Sequence, residues 1–135
     1  MQIYAGSLLK TTDNKLLLQR RDDKPNIVNP GMIAIFGGTA KGNETPIDCA
    51  KREIAEEVSL LISKKDLKPL NIYHTIVPNI GEVESHIFLI EDIKQSGLHL
   101  KEGRGMFILD SNQDITMLNL TPVCRLALTD YLGRS

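Results

Sequence analysis

The sequence is short of the features that assign many chains to a class at sight. It has no tryptophan and only two cysteines in 135 residues. Cys49 and Cys124 lie far apart, and neither belongs to a CxxC or Cys/His cluster, which excludes a zinc knuckle and a disulfide scaffold. Two free thiols in a reducing compartment are expected. No stretch approaches 18 consecutive apolar residues, so no membrane-spanning helix is expected. The opening MQIYAGSLLK has no basic segment followed by a long apolar run, which argues against a secretory signal and for a cytoplasmic protein. Charge of one sign is also missing. Sixteen basic and 17 acidic side chains give a net charge of −1, so no global basic field draws the chain to nucleic acid or an anionic membrane. An anionic ligand would have to be held by local groups or by a metal. There is no repeat, low-complexity tract or linker.

What is present is an ordinary globular balance, 41% hydrophobic and 24% charged. A single domain over residues 1–135 is expected, large enough to bury a core without staples. Gln2 to Lys10 and Leu16 to Arg20 read as strands around the turn cluster Thr12-Asp13-Asn14-Lys15, a hairpin. Asp22 to Gly31, with Pro25 and Pro30, reads as a loop. Met32 to Phe36 reads as a short buried strand that Gly37-Gly38 breaks. Strand-like runs follow at Leu70 to Val77, Val83 to Ile90 and Met106 to Leu109.

Two helices are predicted. Thr45 to Leu60 begins with a Thr-Pro pair suited to the cap and first position, and carries Asp48 in its first turn. Ile47, Ala50, Ile54 and Val58 recur at helical spacing as one apolar face. Pro122 to Leu132 follows Thr121 and stops at Gly133. Strands with one helix in the middle and one at the end imply an α/β fold, a mixed sheet packed between helices.

The chemistry concentrates in Gly37 to Leu60. Glu53, Glu56 and Glu57 stand at i, i+3 and i+4, within roughly a 100° arc of the helix. Such a stripe is commonly a solvated face, yet like charges at this spacing repel. A hard divalent cation turns the repulsion into binding, because Mg²⁺ takes carboxylate oxygens and keeps waters and phosphates in its shell. Arg52 is placed to orient a neighbouring carboxylate, and Glu44 to support the glycine loop or the same network. Glycines at 37, 38 and 42 let backbone approach a ligand where a Cβ would obstruct it.

The joint spacing resembles the Nudix hydrolase signature. Gly38 is followed by five residues and Glu44. Seven more lead to Arg52-Glu53, then Ile54, Ala55, Glu56-Glu57, Val58, Ser59 and Leu60. Ser59 departs from the family's usual glycine, which puts the local turn geometry in question. Phe36 stands where many members have proline.

The resemblance implies a Nudix α/β/α sandwich and an Mg²⁺-dependent enzyme, with Mn²⁺ as a substitute, that cleaves a nucleoside diphosphate linked to a group X. It implies Glu56 and Glu57 as metal ligands, a carbonyl from Gly37 or Gly38, and Glu53 as ligand or general base, with Arg52 and Glu44 in support. A further metal-reaching acid from outside the signature would be Glu82 or Glu84, two apart and so on one strand face. An exposed strand face explains each as well. His86 continues that face and reads as packed or surface. Arg20, Arg21 and Lys24 form a basic group in which Arg21 would fork onto a phosphate. Asn119, two residues before the last helix, would read a base edge, although Asn is also common before helices.

A small-molecule nucleotide substrate follows, without a membrane or broad nucleic-acid surface, in a monomer or homodimer. The expected reaction is hydrolysis of a nucleoside triphosphate, oxidised or non-standard, to a monophosphate and pyrophosphate. A nucleotide-sugar or ADP-ribose pyrophosphatase and a non-catalytic nucleotide sensor are the alternatives. RNA decapping is disfavoured by the missing basic surface.

Overall fold

Three strands meet on the first strand, Gln2–Thr11, and their pairing sets the whole architecture. The computed structural model describes residues 1–21, 31–94 and 105–133. The strands are β1 (Gln2–Thr11), β2 (Lys15–Arg20), β3 (Ile33–Ala34), β4 (Phe36–Thr39), β5 (Lys68–Val77), β6 (Gly81–Ile93) and β7 (Gly105–Asp110). The helices are α1 (Pro46–Val58) and α2 (Pro122–Leu132), with a short 3₁₀ turn at Lys64–Asp66. The main path of the mixed sheet runs β3-β2-β1-β6-β5, with β4 on β1 and β7 on β2. One edge of β1 is shared, Tyr4 to Ser7 pairing with β4 and Leu9 to Lys10 with β2. Its other edge pairs with β6 in parallel from Gln2↔Val83 to Thr11↔Ile93.

Both faces of β1 are covered, which is why Ala5 to Leu9 are buried without alternation. Ala5, Leu9, Leu17 and Phe36 pack against Cys49, Ala50, Ile54 and Val58 of α1. Leu8, Leu16, Leu18 and Leu109 pack against Cys124, Ala127 and Leu128 of α2. The helices therefore lie on opposite faces of one sheet, the expected α/β/α sandwich. Both cysteines are buried and free. Among the described residues, no helix is long and apolar enough to cross a membrane.

The local signals act as read. The Thr45 hydroxyl accepts the Asp48 N–H at 3.2 Å and Pro46 opens α1. Asn14, at φ 66°, turns the β1–β2 hairpin. The helix stops at Val58 rather than Leu60, because Ser59 adopts a left-handed conformation (φ 60°, ψ 30°) and its N–H closes on the Ala55 carbonyl. The family's glycine preference at that position is thereby explained.

One expectation is corrected. Gly37-Gly38 does not break a strand running from Met32 to Phe36. Only Ile33–Ala34 of that run forms β3, while Phe36 and both glycines sit inside β4. A Cβ on Gly37 would lie 2.4 Å from the Ala5 carbonyl oxygen and 2.6 Å from Gly6 Cα. The glycines let two backbones close together rather than turning the chain. Most of the predicted loop, residues 22–30 with Lys24, lies outside the described residues.

Candidate active site

The polar stripe of α1 is organised by one guanidinium. Arg52 Nε and Nη2 donate to the two carboxylate oxygens of Glu44 at 2.8 and 2.9 Å, a bidentate fork. Its Nη1 donates to Glu53 Oε1 at 2.9 Å and to Glu56 Oε2 at 3.2 Å. Nη2 also reaches the Thr39 carbonyl at 3.3 Å, tying the helix to β4. Glu44 accepts a further bond from the Lys41 N–H at 3.1 Å. The Arg52 fork, and then that backbone bond, hold the Glu44 carboxyl at about 2, well below the usual range. Arg52 is in turn held firmly in its charged form, chiefly by Glu44.

The carboxylates differ in exposure. The Glu56 side chain is 53% exposed and that of Glu53 15%, whereas Glu57 is buried at 3%. A carboxylate at that depth on a helix is expensive unless ionic chemistry uses it.

The glycine strand lies directly under this stripe. A Cβ on Gly38 would meet the Glu53 carboxylate oxygens at 2.4 and 2.8 Å. The missing side chain is therefore the space Glu53 fills. The Gly38 carbonyl accepts the Cys49 thiol at 3.4 Å. Burial, and then Glu44, push that thiol up to about 11, so it stays a neutral donor.

On the other side of β4, a Cβ on Gly37 would lie 2.7 Å from the Tyr4 hydroxyl. That hydroxyl donates to the Ile35 carbonyl at 3.2 Å. Burial first, and then the Glu57 charge, raise its ionisation far above the ordinary tyrosine value, while Arg21 works the other way. Tyr4 therefore stays neutral within the fields of both the acid stripe and Arg21. It stands at the wall of a cavity of about 350 Å³, bounded by β1, β4, the β5–β6 turn and the start of α2.

The structure brings Gly38, Glu44, Arg52, Glu53 and Glu56 into direct contact, with Glu57 on the same helix. Gly37, Gly38 and Arg21 line the cavity. Asn119 is exposed, and its backbone carbonyl accepts the Ile33 N–H at 2.8 Å. The cavity wall begins two residues later at Thr121. Glu82 is exposed at the start of β6, and Glu84 is held by His86 Nε2 at 2.8 Å. Arg20 stacks over Phe107, 5.2 Å from the ring centroid.

Among the described residues, no three His, Cys, Asp or Glu side chains already form a metal cage. Arg52 instead stands among Glu44, Glu53 and Glu56. The donor set is nonetheless all hard oxygen, with a backbone carbonyl strand alongside, which suits a cation that completes its shell with water and phosphate.

The Thr39 carbonyl, Cys49 and Tyr4 were missed from sequence. A carbonyl has no residue signature, and the other two acquire their roles only through the pairing of β1 with β4.

A model of the NUDIX domain matches residues 2–110. Among solved structures, a MutT NUDIX hydrolase from Burkholderia pseudomallei superposes with a TM-score of 0.79 at 19% identity, covering 96% of each chain. The dihydroneopterin triphosphate pyrophosphohydrolase of E. coli gives 0.75 at 16%, covering 97% of this chain and 94% of that one. A bifunctional NMN adenylyltransferase/ADP ribose pyrophosphatase from Francisella tularensis, complexed with AMP and a Mn ion, gives 0.73 at 17%, over 98% of this chain and 41% of that one. At these identities the structural likeness is one of fold. The domain match over most of the sequence shows the family, and the chain belongs to the NUDIX hydrolases, enzymes that cleave phosphorus anhydrides.

Proposed function

We propose that the chain is an Mg²⁺-dependent nucleoside triphosphate pyrophosphohydrolase, with Mn²⁺ as a substitute, releasing a nucleoside monophosphate and pyrophosphate. It acts on oxidised or non-standard nucleotides as one domain over residues 1–135, monomeric or homodimeric, in the cytoplasm. The observation that carries the reading is the contact of Glu53 with Gly38 on the strand that also walls the cavity.

Glu53, Glu56, Glu57 and a carbonyl of Gly37 or Gly38 would hold the cation. When bound, it supplies charge neutralisation at the phosphates and an acidified water. Glu53 is ligand or base, the latter by taking the proton of the water that attacks phosphorus as the bridging P–O bond breaks. Arg52 fixes Glu53 and Glu56, and Glu44 fixes Arg52. Arg21, which lines the cavity, would fork onto a phosphate. Asn119 is the proposed base reader before α2. Of the two strand acids, Glu84 is favoured over Glu82. It pairs with Ile3 on the α1 face, in the row next to Gly38–Ala5–His86 on that face.

The test is a hydrolysis panel of modified and ordinary nucleoside triphosphates, sugar nucleotides and ADP-ribose with Mg²⁺. Pyrophosphate release from a triphosphate is expected, and Glu57→Gln should lower kcat by about a hundredfold or more with the circular dichroism unchanged. A wild-type rate in that variant would remove Glu57 from the site. Turnover confined to sugar nucleotides or ADP-ribose would replace the triphosphate. Tight binding without turnover would make the chain a sensor.

A further inference from the structure

The sheet face away from α1 carries polar side chains that the cleavage chemistry does not use. Gln2 pairs with Val83, and Val83 with Thr75, so the three form one row across β1, β6 and β5. Tyr4 pairs with Ser85 in the next row on the same face. All five side chains line the cavity. At the usual strand spacing, Gln2 and Thr75 stand about 10 Å apart, on either side of Val83. The Thr75 hydroxyl oxygen is buried and has no hydrogen-bond partner among the described residues. Such an atom destabilises a fold unless a ligand or water engages it. The Gln2 amide likewise has no hydrogen bond among the described residues.

We propose that Gln2 and Thr75 are the specificity-determining residues of the cavity and read a neutral nitrogen heterocycle through adjacent donor and acceptor groups on its edge. This rests on the reading that the substrate is a nucleotide, and it names the part of the substrate that the cavity takes. The Gln amide offers a donor and an acceptor in one plane, and the Thr hydroxyl offers both. Neither charges near neutral pH, and the neighbouring Tyr4 stays protonated. The rest of the wall is mainly aliphatic, from residues such as Ile35, Val77 and Val123. A flat ring with two apolar faces and one polar edge fits that distribution. A sugar, with a hydroxyl on nearly every carbon, would leave most of its hydroxyls facing hydrocarbon. Both positions line the cavity itself, and Asn119, two residues before the lining residue Thr121, would meet the same ring only at the cavity's rim.

The experiment compares the wild type with Thr75→Val, Thr75→Ser and Gln2→Leu. Melting temperature, kinetics over the triphosphate panel, and calorimetric binding of nucleoside 5′-monophosphates without metal are the readouts. Thr75→Val should raise the melting temperature, since it removes a buried hydroxyl, while weakening monophosphate binding and raising KM about tenfold at nearly constant kcat. Thr75→Ser should restore the wild-type KM. Gln2→Leu should raise KM to a similar extent and flatten the ranking among bases.

Monophosphate affinities that are independent of the base, or untouched by both Thr75→Val and Gln2→Leu, would overturn the assignment even if hydrolysis is observed. Base-dependent binding that both substitutions abolish would support it even if no triphosphate is hydrolysed, which would defeat the hydrolase reading alone.

Discussion

The two faces of the sheet are built on opposite electrostatic plans. On the α1 face three carboxylates gather round one guanidinium, and the distances from Arg52 to Glu44, Glu53 and Glu56 run from 2.8 to 3.2 Å. On the α2 face a cavity of about 350 Å³ has Arg21 as its one charged lining residue among those described. The strand between them, β4, serves both, since Gly38 meets Glu53 and Gly37 meets Tyr4. In the proposed roles the charged face holds the cation and the neutral cavity takes the group attached to the phosphates, with Arg21 at the cavity wall for a phosphate. On that proposal the division of labour lies across the sheet, not along it.

Substitutions of the two glycines test that division most severely. Gly37→Ala places a methyl 2.4 Å from a backbone oxygen, which cannot swing aside, so both faces should suffer. A loss of about 1–3 kcal/mol or more in urea denaturation is expected. Gly38→Ala meets the mobile end of a glutamate, so stability should change less while Glu53 is displaced and kcat falls. Equal stability losses at the two positions would show that the faces are not independent.

A smaller effect separates the charged face by pH. Glu44 has its carboxyl lowered from 4.5 to about 2. Its contribution is thus complete above about pH 4.5 and lost as pH falls towards 2. Arg52→Gln removes the fork. Its melting temperature should lie below the wild type's at neutral pH, and the two curves should converge between pH 4.5 and 2. Parallel curves would mean that Arg52 stabilises the helix by packing alone. The neutral cavity should show no such convergence.

The smallest change concerns the end of α1. Ser59→Gly relieves a left-handed serine and should raise stability by about 0.5 kcal/mol, read by thermal melting, with activity preserved. A large change in kcat would mean that the cap positions Glu56 and Glu57.

The charged face was legible because its order is local. Glu44, Arg52, Glu53 and Glu56 span thirteen positions, and helical periodicity alone brings the last three together. The Thr45 cap, the hairpin turn at Asn14 and the αL stop at Gly133 were legible for the same reason. The neutral face was not. Gln2 and Thr75 are neighbours in a row only through Val83, by a parallel register that no short window contains. The glycine pair was misread as a break because a strand's need for close approach depends on the strand opposite, here Ala5 and Gly6.

The parallel pairing of β1 with β6 also governs how the chain assembles. Leu9 meets Ile90, and Gln2 meets Val83, across most of the sequence. Contacts so distant close slowly, because the entropy of the intervening chain is lost before the pairing repays it. During synthesis the first strand therefore waits, one edge open, until residues 81–93 have emerged. It is a segment rich in leucine and isoleucine with its backbone donors and acceptors presented, which is the kind of edge that recruits another chain. Refolding yield should thus fall steeply with protein concentration, and the strand at the centre of the finished sheet is the chain's main exposure to aggregation on the way there.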